Sequence, residues 1–89
     1  MKSPARERRA APRTGTAGPV WIREMLPGSA EIPGTLVDTS RDGFRASFSG
    51  EAPAAGTNVE FRTQTRQGTA VVMWNRCIGS QQESGFLIS

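Results

Sequence analysis

The sequence predicts an all-β fold, a six-stranded antiparallel β-barrel led by a flexible arginine-rich segment, and three observations point to it. No stretch of useful length repeats its apolar residues with a helical period. Short runs instead alternate apolar with polar residues, as half-buried strands do. Gly or Pro interrupts these runs at intervals of roughly 8 to 12 residues, the spacing found in small barrels and sandwiches. A barrel is preferred to an open sheet because closure removes the edges that so small a sheet would have to guard with charge or proline.

Residues 1–19, rich in Arg, Ala, Pro, Gly and Thr, are the low-complexity part of the chain and are expected to be mobile until a ligand orders them. The barrel is expected over residues 20–89. Val20 to Met25 (VWIREM) reads as the first strand, ended by the turn Leu26-Pro27-Gly28-Ser29. Thr35 to Thr39 is the second, introduced by Pro33-Gly34. After a turn over Ser40 to Gly43, the third strand sets Phe44, Ala46 and Phe48 on one face and Arg45, Ser47 and Ser49 on the other. The loop Pro53-Ala54-Ala55-Gly56 leads into a fourth over Thr57 to Gln64, with Val59 and Phe61 inward. Gln67-Gly68 then turns the chain into Thr69 to Arg76 (TAVVMWNR). That run is apolar on both faces around Val71, Val72 and Met73, so it is expected to be central or doubly covered. Gly85 to Ile88 is the sixth strand. Trp21 and Trp74 each lie in an apolar run and are expected in the core or at the barrel rim.

With 89 residues the chain has room for one modest core, which suits a small site rather than large strained loops. Its formal net charge is +3, and the positive charge is uneven: Arg6, Arg8, Arg9 and Arg13 stand close together against Glu7 alone. Such a cluster predicts an anionic partner, with a merely solvated basic tail as the competing reading. The chain has no histidine and no tyrosine, so the commonest general base, the commonest metal ligand and the phenolic acid are all missing. The acids Glu24, Glu31, Glu51, Glu60 and Glu83 show no paired arrangement. A non-enzymatic protein with no catalytic residue, no metal site and no cofactor is therefore expected. The single cysteine, Cys77, has no second thiol to join and reads as a small strand residue. The basic N-terminus is followed by no apolar stretch, so neither a signal peptide nor a membrane anchor is read there, and the cytoplasm is the expected compartment.

Two local patterns carry chemistry. In Arg8-Arg9-Ala10-Ala11-Pro12-Arg13, Arg9 and Arg13 form an RxxxR spacing. Guanidinium groups recognise phosphate and the O6/N7 edge of guanine in a planar, bidentate way, and they stack on bases. The second pattern is Asp38-Thr39-Ser40-Arg41-Asp42-Gly43, a DxSxxG at a strand junction. Asp, Ser and Gly are ordinary turn residues, Gly43 being suited to a positive φ. As a site, Asp38 would accept from guanine N–H groups, Ser40 would offer a short hydroxyl contact, and Gly43 would let the backbone approach a ligand.

Taken together, RxxxR before the first strand, DxSxxG between the second and third, and the late VVMWNR followed by SGFLIS resemble the PilZ domain family, receptors for the bacterial second messenger cyclic di-GMP. The resemblance spans Arg8 to Ser89. It implies a PilZ-like barrel with the ligand across its surface, wrapped by the arginine segment and faced by the DxSxxG turn. By the same resemblance Arg9, Arg13, Asp38, Ser40 and Gly43 match the ligand-binding motifs, and Arg8 stands where a further contact occurs. The family further implies a signalling receptor acting in trans on a protein partner, as a monomer or a ligand-dependent dimer. A few charge-assisted hydrogen bonds, each contributing roughly 1.5 to 3 kcal/mol, can outweigh the entropy of ordering the segment.

Arg23, Arg45, Arg62, Arg66 and Arg76 are scattered over strands and turns and read as a solvated face. Two alternatives stand beside the receptor: a protein-interaction barrel without ligand, and a small basic nucleic-acid-binding barrel. The second is disfavoured because four Phe and two Trp in core-like positions leave few rings for base stacking.

Overall fold

The structure, a computed structural model, describes residues 14–15 and 18–89. Seven strands follow in chain order: β1 (Thr14–Gly15), β2 (Pro19–Glu24), β3 (Ile32–Thr39), β4 (Gly43–Phe48), β5 (Asn58–Thr63), β6 (Gln67–Ile78) and β7 (Gln81–Ile88). All pairings are antiparallel. The ladders run β3-β2-β5-β6-β7-β4, and a further β3–β4 ladder closes the ring. The fold is thus the closed six-stranded antiparallel barrel expected, with β1 added along β3. No helix long and apolar enough to cross a membrane occurs among the described residues.

Inward positions of each strand fill the barrel. Val20 and Ile22 enter from β2; Phe44, Ala46 and Phe48 from β4; Val59 and Phe61 from β5; Ala70 and Val72 from β6; Phe86 from β7. The period-two patterns of β4 and β5 survive intact, because each strand packs one face on the core and turns the other to solvent. Phe44 lies on Phe86 with ring centroids 4.7 Å apart and tilts against Phe61 at 5.0 Å, tying β4, β5 and β7 together at the centre. Two of the turns fall where Gly and Pro place them, whereas Gln67 and Gly68 do not make the turn expected of them but open β6, paired with Arg62 and Phe61. Ser29 N donates to Leu26 O, Thr57 N donates to Ala54 O, and Gly28 and Gly56 take positive φ.

Several sequence expectations are corrected. Pro33 and Gly34 do not introduce the second strand but lie inside β3, paired with Trp21 and Val20 of β2. A side chain at Gly34 would strike the Phe48 ring and the Ser47 carbonyl oxygen, so glycine there admits the ring rather than bending the chain. Strand β6 is not covered on both faces: Ala70 and Val72 are buried while Met73 is 52 % exposed. Of the two tryptophans expected in the core or at the barrel rim, Trp74 is 37 % exposed on the outer wall and Trp21 is half-buried on the outside of β2, so neither belongs to the core.

The reason for the Trp74 error is a register shift between Val72 and Trp74, which inserts Met73 as an extra residue and turns the next side chain outward. The last strand also begins earlier than expected. Gln81 to Ser84 continue β7 as a hairpin with Asn75 to Ile78, turned at Gly79 with φ 62. That half is polar because its partners are polar: buried Ser84 bonds Asn75, and buried Glu83 pairs with Arg76 at 2.8 Å.

Candidate functional site

The β3–β4 hairpin brings the three predicted motif residues Asp38, Ser40 and Gly43 together at one place on the barrel. Arg8, Arg9 and Arg13 lie outside the described residues. Arg13 is bonded to Thr14, however, and β1 pairs Thr14 with Thr39 and Gly15 with Asp38. Since β4 occupies the other edge of β3 at these positions, β1 runs on the edge also used by β2, and Leu36 N donates to Gly18 O between the two.

A second register shift, between Leu36 and Asp38, makes Val37 the extra residue of β3. Without it Asp38 would share the inward face of Leu36, which packs on the core. The bulge re-aims Asp38 to the outer wall, opposite Arg45. There the Arg45 guanidinium makes a forked contact: Nε donates to Oδ1 and Oδ2 at 3.1 Å each, and Nη2 also bonds Oδ2. Asp38 is 6 % exposed. The hydrogen bond to Asp38 raises the Arg45 pKa above the ordinary arginine value, against the opposing effect of burial, and Glu83 adds a smaller push in the same direction.

The register carries this row across four strands. Asp38 faces Arg45, Arg45 faces Gly85, and Gly85 faces Trp74. The indole lies directly over Gly85, where any side chain would collide with it. Beside this row Ser47 faces Glu83 and Glu83 faces Arg76, whose guanidinium sits 5.4 Å from the Trp74 ring. The outer wall next to the DxSxxG turn therefore carries a buried carboxylate held by Arg45, two guanidinium groups and an aromatic face. A shallow recess of about 410 Å³ joins Ser40, Asp42 and Gly43 of the turn to Met73, Trp74 and Leu87. Donors, an acceptor and a flat apolar surface are what a phosphorylated heterocycle requires.

Gly43 has a different task from the one expected. Its φ is not positive, the positive-φ glycines being Gly28, Gly56 and Gly79. Instead it is buried against β7, where a Cβ would run into the Phe86 carbonyl oxygen. The glycine allows two backbones to touch, which closes the barrel at the turn.

Arg66 is the residue that sequence reasoning left on a solvated face. From the turn between β5 and β6 it reaches the DxSxxG turn: Nη2 donates to Thr39 Oγ1 at 2.6 Å and to Ser40 O at 3.2 Å, and Nη1 to Arg41 O at 3.4 Å. No spacing in the chain announces this contact, since 26 positions separate Arg66 from Ser40. Arg45 had a signal, because it follows Asp38 on the neighbouring strand of a short hairpin.

The remaining charged cluster, on β2 and β5, is self-satisfied. Arg62 lies 4.3 Å from the Trp21 ring centroid and 3.0 Å from Glu31, while Arg23 meets Glu60 at 2.7 Å. These pairs are about half exposed and cover a solvated wall; Arg45–Asp38 and Arg76–Glu83 are matched in the same way, and what sets their wall apart is that it adjoins the DxSxxG turn. Among the described residues no three His, Cys, Asp or Glu side chains gather as metal ligands would, and Cys77 is exposed and unpaired. No protein-family model matches the chain, and no curated protein matches it.

Proposed function

We propose that the protein is a receptor for cyclic di-GMP of the PilZ type, a cytoplasmic, non-enzymatic module that acts in trans on a protein partner. The observation that carries this reading is the β1–β3 ladder. It sets Thr14, the residue after Arg13, alongside Thr39 of the DxSxxG motif, although the two motifs are far apart in the chain. Cyclic di-GMP presents two phosphates and two guanines. Arg8, Arg9 and Arg13 supply guanidinium forks for phosphate and for the guanine O6/N7 edge, Asp38 an acceptor for guanine N–H groups, and Ser40 a hydroxyl. Arg45 holds the Asp38 carboxylate in place on the wall, and Trp74 offers a ring face at the end of the same row. Ordering of the N-terminal segment by the ligand would change the surface seen by a partner, the differential contact a switch needs.

Isothermal titration calorimetry of cyclic di-GMP into the full chain at physiological salt tests the reading, with GTP as control ligand. Saturable binding selective for cyclic di-GMP is expected. Arg13→Ala should weaken it by about tenfold to a hundredfold, the loss of one charge-assisted hydrogen-bonding group. Arg62→Ala, on the opposite wall, should leave the affinity unchanged. Absence of heat with either nucleotide, in a sample shown to be folded, would refute the receptor and favour the ligand-free interaction barrel.

A further inference from the structure

We infer that Arg66 is the positioning residue of the candidate site: it holds the Ser40–Gly43 turn in its binding shape from a separate hairpin and does so without touching the ligand. The inference builds on the receptor reading, and its structural half can be tested apart from it.

The support begins one turn away from the site. Thr63 N donates to Arg66 O at 2.7 Å, and Thr63 Oγ1 accepts from the amides of Thr65 and Arg66 at 3.2 and 2.9 Å. The backbone that launches the Arg66 side chain is therefore fixed by its own turn, a threonine-based one. From there the guanidinium spans the mouth of the barrel to Thr39 Oγ1, Ser40 O and Arg41 O. The rest of the turn is tied down by backbone donors: Asp42 O accepts from Ile88 N at 2.8 Å and Gly43 O from Ser40 N at 2.9 Å.

Every carbonyl from Ser40 to Gly43 thus has a donor, two of them from Arg66. This matters for an anion. A carbonyl oxygen facing a phosphate repels it, and engaging the four carbonyls removes that repulsion; the Ser40 hydroxyl helps, since it too reaches Gly43 O, at 3.4 Å. The task also requires arginine. Two terminal nitrogens reach three acceptors on successive residues, an arrangement that suits a wide planar fork better than an ammonium, whose three donors leave a single atom. Arg41, by contrast, has a side chain 93 % exposed, and among the described residues its guanidinium pairs with Asp42 alone, at 3.7 Å.

The test uses the full chain as Arg66→Ala and Arg66→Lys. Amide hydrogen exchange is read by NMR without ligand, and cyclic di-GMP affinity by calorimetry. In both variants the amides of Ser40 and Ile88, which close the turn, should exchange at least about tenfold faster. The Val72 amide, bonded to Thr57 O at 3.0 Å across the barrel, should keep its rate. Affinity should fall about tenfold in both, roughly the entropy of re-ordering one loosened residue on binding. Unchanged exchange at Ser40 and Ile88 would overturn the inference. So would full recovery of affinity by lysine with the turn still loose, since that identifies Arg66 as a direct charge contact. Failure of the wild-type protein to bind cyclic di-GMP removes the receptor reading alone, because the exchange rates still decide whether Arg66 holds the turn.

Discussion

Replacing Gly43 with alanine is expected to lower the unfolding free energy by about 3 kcal/mol, the upper range for forcing extra atoms into a packed site. It should depress the melting temperature by more than about 10 °C, since 1 kcal/mol moves the midpoint of a domain this size by roughly 4 to 8 °C. The obstacle is backbone: the nearest atoms to a Cβ at position 43 are the carbonyl oxygen and carbon of Phe86 and the Cα of Leu87. None is the free end of a side chain, so nothing can rotate away. Relief requires β4 to part from β7 at the Gly43–Leu87 pair, the rung that closes the barrel beside the turn. That movement also pulls on Asp42 O, held by Ile88 N, and on Gly43 O, held by Ser40 N. Stability and cyclic di-GMP affinity should fall together. Gly56→Ala is the matched control: Gly56 has φ 93 and open space around it, so alanine meets backbone strain only, about 1 kcal/mol. A thermal melt of both variants without ligand decides the matter. If Gly43→Ala melts with the wild type, the close approach of β4 and β7 is not what position 43 provides.

The same residue shows where sequence reading succeeds and where it stops. The glycine was legible, but its reason was not, because a strand contact between positions 43 and 86 has no local trace. Alternation in Phe44, Ala46 and Phe48, and in Val59 and Phe61, was legible because one face of each strand is apolar and the other wet. Asp38 and Ser40 were legible as turn chemistry. The outward aim of Asp38 was not, since it depends on the extra residue Val37, and bulges leave the composition of a strand unchanged. Met73 did the same to Trp74, which moved an apparent core residue to the wall beside the candidate site. Gln81 to Ser84 carry no apolar alternation because the two buried members, Glu83 and Ser84, are satisfied by Arg76 and Asn75 rather than by apolar contact. Arg66 became visible only once folding had joined two hairpins.

Phe44→Ala is the second large effect, with an expected cost of roughly 3 to 5 kcal/mol. For a domain of this length that is a large share of a total stability on the order of 4 to 13 kcal/mol. The ring is 2 % exposed and is held between Phe86, stacked at an interplanar angle of 16°, and Phe61, tilted at 53°. Both neighbours are anchored on their own strands, so neither can swing in to fill the space that alanine leaves, and the cavity term applies in full. The urea midpoint should drop by more than about 1 M.

The more telling variant is Phe44→Leu, which keeps most of the volume and should cost less than about 1.5 kcal/mol. Phe44 lines both recesses that flank the turn, the one with Arg66 and Thr39 and the one with Trp74 and Leu87. Its backbone pairs with Thr39 on one side and with Phe86 on the other. Leucine should therefore leave a folded barrel whose turn is less firmly seated, with cyclic di-GMP affinity reduced several-fold while the melting curve stays cooperative. Calorimetry on that variant separates two ways the site can be supported. Wild-type affinity in a folded Phe44→Leu protein would mean that the hydrogen bonds to the Ser40–Gly43 carbonyls suffice to hold the turn. A loss of affinity would mean that the aromatic core beneath it sets the position from which those bonds act.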